Sequence, residues 1–279
     1  ELGAPLFLRG TRHVELTGAG TSLLRAAAPM LDRLDATVRQ IRIARGRRSV
    51  SLSTFASFAS LWLIPRLQAV QRDHPEIDIR VSATDTLIDL DDPELDVALR
   101  YCHPDTAPPG AIRLFGETLT PVVSAGLAEQ VRNGLAPPLR VPADLARYTL
   151  IEEDDHRASA EYLSWRHWLQ SHGLPHLQPQ RWIYMNFTYQ QIQAALAGQG
   201  VALARVPLVA ESIARGELVE PFGVEHRIKS PFAYWAIRGM ASAERPELRQ
   251  FFDWVLAQAE QSRLAIGEPA TAPVKVESV

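Results

Sequence analysis

Few side chains in this sequence could do covalent chemistry, and their spacing works against it. Cys102 and His103 set a thiol beside an imidazole, but neighbours in an extended chain point to opposite faces, so one cannot deprotonate the other. His167, His172 and His176 are five and four residues apart, and Gly173 and Pro175 break any helix that would put the last two on one face for a metal. Gly18-Ala19-Gly20 is not the full dinucleotide fingerprint at a strand-to-helix turn. The acidic run Glu152 to Asp155 could ligate a cation; the plainer reading is a solvated loop at a cleft edge. No GxSxG, CxxC or HExxH occurs. We therefore expect no enzyme, no cofactor and no metal.

Binding groups are better organised. Arg9 and Arg12 bracket Gly10-Thr11, a turn tip with two cations, and Val14 and Leu16 alternate with His13 and Glu15 as in a strand. Thr17 then stands where a hydroxyl would cap the N-terminus of a helix. An arginine-tipped hairpin feeding a helix reads as the wing of a winged helix-turn-helix, with Arg9, Thr11 and Arg12 facing DNA; a solvated basic turn is the bland alternative. Charge supports the first reading. Residues 1–48 hold nine Arg against four acidic residues, +5, while residues 49–279 hold 20 basic and 28 acidic residues, −8. A basic head on an acidic body suits a head that meets a polyanion.

These groups must be positioned by a helix and a two-part body. Leu24, Ala27, Leu31, Leu34, Val38 and Ile41 are spaced 3, 4, 3, 4 and 3, an a/d seam too narrow to be buried without a partner helix. Pro29 should interrupt that helix, and Gly46 should stop it. Strand Val50–Ser53, helix Phe58–Arg72 and strand Ile77–Ala83 make a βαβ unit and imply parallel strands. A second set follows: strands at Leu119–Val123, Tyr148–Ile151, Trp182–Phe187 and Val201–Ala204, with helices at Tyr162–Ser171, Tyr189–Ala197 and Leu208–Ala214. Strand Phe232–Ile237 then returns to the first set, and helix Glu247–Ala259 closes the chain. The expected layout is a wing over 1–20, a dimerisation helix over 21–46, lobe I over 47–123 and 231–263, lobe II over 124–230, and a disordered tail over 264–279.

Composition is ordinary for a soluble protein with two or more cores: 279 residues, 46% hydrophobic and 22% charged. The single cysteine excludes an internal disulfide and suits the reducing cytoplasm. No apolar run approaches the ~20 residues that span a bilayer, so no membrane partner is expected. The chain opens at Glu1 rather than Met, and an upstream segment is expected.

The stretch LFLRGTRHVELTGAG resembles the LysR-type transcriptional regulators at the end of their DNA-binding domain, matching at Leu6, Phe7, Arg9, Arg12, Val14, Leu16, Thr17, Ala19 and Gly20. Pro65, Leu67, Pro75, Ile77 and Val81 fit the opening of that family's effector domain, and Ala194 to Phe222 is similar to its glycine-cleavage and β-lactamase regulator branch. The resemblance implies an α/β fold: the remnant of a winged helix-turn-helix, a long linker helix, and a two-lobed periplasmic-binding-protein-like effector domain. It implies the partners too: double-stranded DNA, a small-molecule effector, a second copy as homodimer or homotetramer, and RNA polymerase. A transporter's solute-binding protein and an enzyme on the same clamshell are the rivals.

Ligands in open parallel sheets sit beyond the carboxyl ends of strands, near helix N-termini that favour anions. That rule selects Ser57, Phe58, Thr84, Arg100, Tyr101, Glu152, Asn186 and Phe187, with Val201 added, as expected effector contacts. In the resembled family the hydroxyl matching Ser57 commonly meets effector carboxylates. Arg100 would pair with an anion, or with Asp85 or Asp89; Tyr101 and Phe187 would cover an apolar part. The acidic stretch Asp89 to Glu94 would screen the cleft against highly anionic ligands.

Overall fold

The computed structural model describes residues 2–9, 14–43, 48–84, 95–154, 159–239 and 245–269. The chain divides into two compact units, Glu1–Ser49 and Val50–Val279. Thr11 and Arg12, the side chains of Arg9, Val38 and Ile41, and the acidic stretch Asp89 to Glu94 lie outside the described residues, as does Asp155.

In the first unit, β1 (Phe7–Arg9) pairs antiparallel with β2 (Val14–Leu16), Phe7 opposite Leu16. The Thr17 hydroxyl accepts from Gly20 N at 3.0 Å and donates to Pro5 O at 2.7 Å, so it caps α1 (Gly18–Ile43) and ties it to the hairpin. Gly20 is dictated by that joint: a Cβ there would stand 2.1 Å from the Leu6 carbonyl oxygen. α1 runs 26 residues, roughly 39 Å at 1.5 Å each, and Pro29 does not end it. Leu24, Leu31 and Leu34 are 53%, 62% and 59% exposed.

β3 (Arg48–Thr54) starts two residues before the second unit, which goes on with a helical run of α2 (Ala56–Phe58), a π turn at Ala59–Leu63, and α3 (Ile64–Asp73). The π turn lies just before Pro65, whose ring and missing N–H disturb a regular ladder. Then come β4 (Ile77–Ala83), β5 (Val97–Cys102), β6 (Ile112–Ser124), α4 (Ala125–Arg132), β7 (Thr149–Glu153), α5 (Ala160–Leu163) and α6 (Trp165–Ser171). The chain ends with β8 (Arg181–Met185), α7 (Thr188–Leu196), β9 (Val201–Arg205), α8 (Val206–Ala214), β10 (Leu218–Val219), β11 (Ile228–Arg238) and α9 (Pro246–Ile266).

The strand order is β4-β3-β5-β11-β6-β9-β7-β8, with β10 beside β6. Two half-sheets share one long strand. Ile112–Leu119 of β6 pairs with β11, and Leu119–Val122 pairs with β9. Within the halves, β3 is parallel to β5, and β7 is parallel to β8 and β9. β11 shifts register between Ser230 and Ala233, where Pro231 has no N–H to donate. The core of the first half gathers Phe58, Trp62, Phe115, Tyr234, Phe251 and Phe252. The second half is filled on one face around Leu150, Trp165 and Trp168, and on the other around Ile151, Ile192 and Ala195.

Several expectations are corrected. β6 was expected only over Leu119–Val123, but it starts at Ile112; both its faces are buried, so no alternation marks it. The helix expected over Tyr162–Ser171 breaks at Ser164, whose hydroxyl caps α6 through His167 N at 3.2 Å. Leu208 of α8 packs into the core of the first half, although its sequence neighbours belong to the second. The tail expected to be disordered from 264 is ordered further: α9 reaches Ile266, Gly267 closes it at φ +71°, and the Glu268 carboxylate accepts from Arg113 at 2.8 and 3.0 Å and from Gly116 N at 3.0 Å. A Cβ at Gly116 would stand 2.3 Å from that carboxylate, so the Glu268 and Arg113 side chains would have to shift.

Candidate functional site

Both half-sheets carry polar residues where they meet. From the first half, Ser57 follows β3 and is buried; its hydroxyl accepts from Tyr189 N at 3.2 Å. No side chain of α7's own N-cap residue does this, so the first half supplies the cap for a helix of the second. Thr54, at the end of β3, is wholly buried and its hydroxyl has no partner among the described residues.

The centre of the seam is a buried charged cluster. Arg205, at the end of β9, donates to Glu153 Oε2 at 3.1 Å, and Thr188 donates to the same oxygen at 2.8 Å. The side chains of Arg205 and Glu153 are 3% and 5% exposed. Above them the Arg205 guanidinium lies 5.1 Å from the Tyr101 ring centroid. Glu117, on the shared strand β6 and 2% exposed, accepts from the Tyr234 hydroxyl at 2.5 Å and from Thr118 N at 3.0 Å. Tyr101 stacks on Phe232, and its hydroxyl meets that of Ser230 at 3.4 Å, beside the register shift in β11.

Burial decides the protonation of this cluster. It pushes the Glu117 carboxyl up to about 7, although Arg205, the Tyr234 hydroxyl and Thr118 N–H all pull it down. Burial works against the Arg205 cation, but Glu153 first, and then Tyr234, Tyr101 and Glu117, outweigh it and raise the pKa. Glu152, facing away from Glu153, is also pushed up to about 7 by burial; one of its oxygens takes Trp165 N and the other has no partner among the described residues. The site can hold a ligand by charge and hydrogen bonds. It offers no nucleophile beside a free base.

The sequence-predicted residues scatter around this cluster. Ser57, Tyr101 and Glu152 reach the seam or its edge. Phe187 precedes α7 and stacks on Tyr189, with Asn186 beside it lining a hollow of 730 Å³ along α7, together with Asp154, Tyr184 and Gln193. Thr84 bonds through its N–H to Thr54 O at 2.8 Å. Arg100 faces the side of the sheet opposite Tyr101, and its guanidinium donates to Ser53 O and Ser53 Oγ, both at 2.9 Å; Asp85 and Asp89, its expected acids, lie outside the described residues. Phe58 and Val201 are wholly buried, Phe58 against Trp62 and Tyr234, and Val201 at the start of β9. Glu117, Thr188, Arg205 and Tyr234 were not among the expected contacts, and Thr54 was noted only as a strand end. The strand-end rule reaches Thr54 and Arg205, whereas a glutamate inside a strand carries no such signal.

A mixed α/β body of two half-sheets joined by shared strands, with a polar seam, is an effector domain of the periplasmic-binding-protein type. Residues 44–260 match the LysR substrate binding domain. The glycine cleavage system transcriptional activator of Escherichia coli strain K12 is 30% identical over 258 residues, covering 92% of this chain and 80% of that protein. The HTH-type transcriptional activator AmpR of Pseudomonas aeruginosa is 30% identical over 259 residues, covering 92% and 82%. The solved effector domain of the transcriptional regulator AmpR of Pseudomonas aeruginosa matches with a TM-score of 0.57 and 29% identity, over 77% of this chain and 98% of that one. The chain belongs to the LysR family of transcriptional regulators. These relatives are regulators, and they lend no support to a transport protein or an enzyme.

Proposed function

We propose that this regulator works in the cytoplasm as a DNA-bound homo-oligomer that senses a small anionic or amino-acid-like effector between its half-sheets. The observation that carries this reading is the buried seam, where Ser57, Glu117 and Tyr234 of one half meet Glu153, Thr188 and Arg205 of the other. Polar groups are costly to bury, and a ligand that bonds them in the closed body shifts a hinge equilibrium by its differential affinity for closed and open forms. Ser57, Tyr101, Glu152, Asn186 and Phe187 remain proposed contacts, Thr84 and Arg100 outer ones.

In this reading the seam of Leu24, Ala27, Leu31, Leu34, Val38 and Ile41 pairs two α1 helices antiparallel, in a homodimer or a homotetramer. Arg9, Thr11 and Arg12 hold DNA backbone or minor groove, adding salt-dependent affinity with little sequence information. RNA polymerase is the partner at the promoter. The proposed layout keeps 1–20 as wing and 21–46 as linker, with the lobes meeting within β6 and β11.

The test is a thermal-shift screen of small metabolites on the whole chain. A ligand at 100 times its Kd adds ~2.7 kcal/mol, a shift of several degrees. Thr188→Val should abolish that shift, and the variant, its own melting temperature lowered by the lost bond to Glu153, should still unfold cooperatively. A stabiliser whose effect survives Thr188→Val and Tyr234→Phe together binds elsewhere, and the cleft reading falls.

A further inference from the structure

Among the described residues, Glu117 forms no ion pair of its own. It is 2% exposed, and its oxygens take one hydroxyl and one backbone N–H. The groups that face it are Tyr234 of β11, Tyr101 of β5, Arg205 at the end of β9 and Glu153 at the end of β7. Of these only Arg205 is positive, and its guanidinium is already bonded to Glu153 at 3.1 Å. Arg100, the other cation of these strand ends, is turned to the opposite face and donates to Ser53. A lone buried carboxyl with a neutral hydrogen-bond shell has two remedies: a proton, or a positive group brought from outside. The fold puts this carboxyl on the strand shared by the two half-sheets, at the seam where a ligand would be enclosed.

Resting on the cleft reading given above, we propose that the effector carries a protonated amine, which docks against the Glu117 carboxylate and takes the place of its proton. The exchange is balanced: the ligand ammonium binds, the carboxyl O–H ionises, and one proton leaves to solvent. With burial holding that carboxyl at about 7, the proton must be displaced below neutral pH and is already absent above it. Ligand affinity therefore falls about tenfold per pH unit below 7 and is flat above 8. A purely anionic effector would show the opposite trend, because it gains from a protonated Glu117.

The experiment uses the whole chain and matched probes: the twenty common amino acids, each beside the carboxylic acid that lacks its amine, and beside its amide, which lacks the acid. Stabilising probes are expected only among amine-bearing members. For the best of them, calorimetry at pH 6 in two buffers of unequal ionisation enthalpy should show close to one proton released, and near none at pH 8. Glu117→Gln should weaken binding at least tenfold at pH 8 and remove the pH slope. The wild-type proton count stands by itself if that variant does not fold. A stabiliser without a cation, or no proton release at pH 6, overturns the inference and leaves the cleft reading intact. Silence from every probe overturns both for this class of ligand.

Discussion

The two units of this chain break the usual rule of burial in opposite directions. In Glu1–Ser49, apolar Leu24, Leu31 and Leu34 stand more than half exposed along one helix. In Val50–Val279, charged Glu117, Glu153 and Arg205 are buried. Each departure asks for a partner, but of a different kind. Apolar surface is relieved by any complementary apolar surface, so the helix asks for a second helix with the same spacing. A buried carboxyl is relieved only by a proton or a cation at one point, so the body asks for a specific small group. On the proposed reading, the first unit serves assembly and the second recognition.

The contrast breaks most visibly at the helix. Leu31→Glu with Leu34→Glu puts four carboxylates into a two-helix seam and removes four leucines, each worth ~1.5–3 kcal/mol when buried. Sedimentation should show the dimer dissociation constant rising by at least about a thousandfold, with the body's fold unchanged. A dimer of wild-type strength in that variant would move the assembly surface off α1.

The body gives a middle-sized effect. Glu117 titrates at about 7 in the folded chain, above the usual carboxylate range. Its folded pKa is raised, so the folded state binds more protons than the unfolded one between about pH 4.5 and 7, and stability from this group falls as pH rises through that window. The loss is on the order of 3 kcal/mol. Glu117→Gln should remove that slope, so denaturant midpoints for variant and wild type should be close at pH 5 and favour the variant at pH 8. Parallel pH profiles would show that Glu117 is ionised throughout and paired by something other than the groups described.

The smallest effect sharpens the comparison within the body. Ser57→Ala removes the cap that one half-sheet gives to α7 of the other, a loss of about 1 kcal/mol. Hydrogen exchange at the Tyr189 amide should speed up more than at amides in the middle of α7. Equal protection in variant and wild type would mean that the two halves are not held together there.

Much of the fold was readable because most elements announce themselves by period. The 3-4 seam of α1 and the alternation of Ile77–Ala83 are local patterns, read from residues close together in the chain. Thr17 and Gly20 were legible as a motif, and the contacts explain them: one caps α1, the other leaves room for Leu6 O. The candidate site was legible only at its rim. Strand-end reasoning finds Ser57, Tyr101 and Glu152 at the seam or its edge, but a position near a strand end does not fix which way a side chain turns, and Phe58 is wholly buried.

What the sequence determined by itself is the class of the protein, its basic head, the 3-4 apolar seam of its long helix and the βαβ grammar of its body, because each depends on residues close together in the chain. Only the tertiary structure decided that Glu117 is buried, that Arg205 is spent on Glu153, and that Ser57 serves a helix 132 positions away. Those are long-range facts. The energy of a charge depends on what surrounds it in space, and here the surroundings come from β5, β6, β7, β9 and β11 at once.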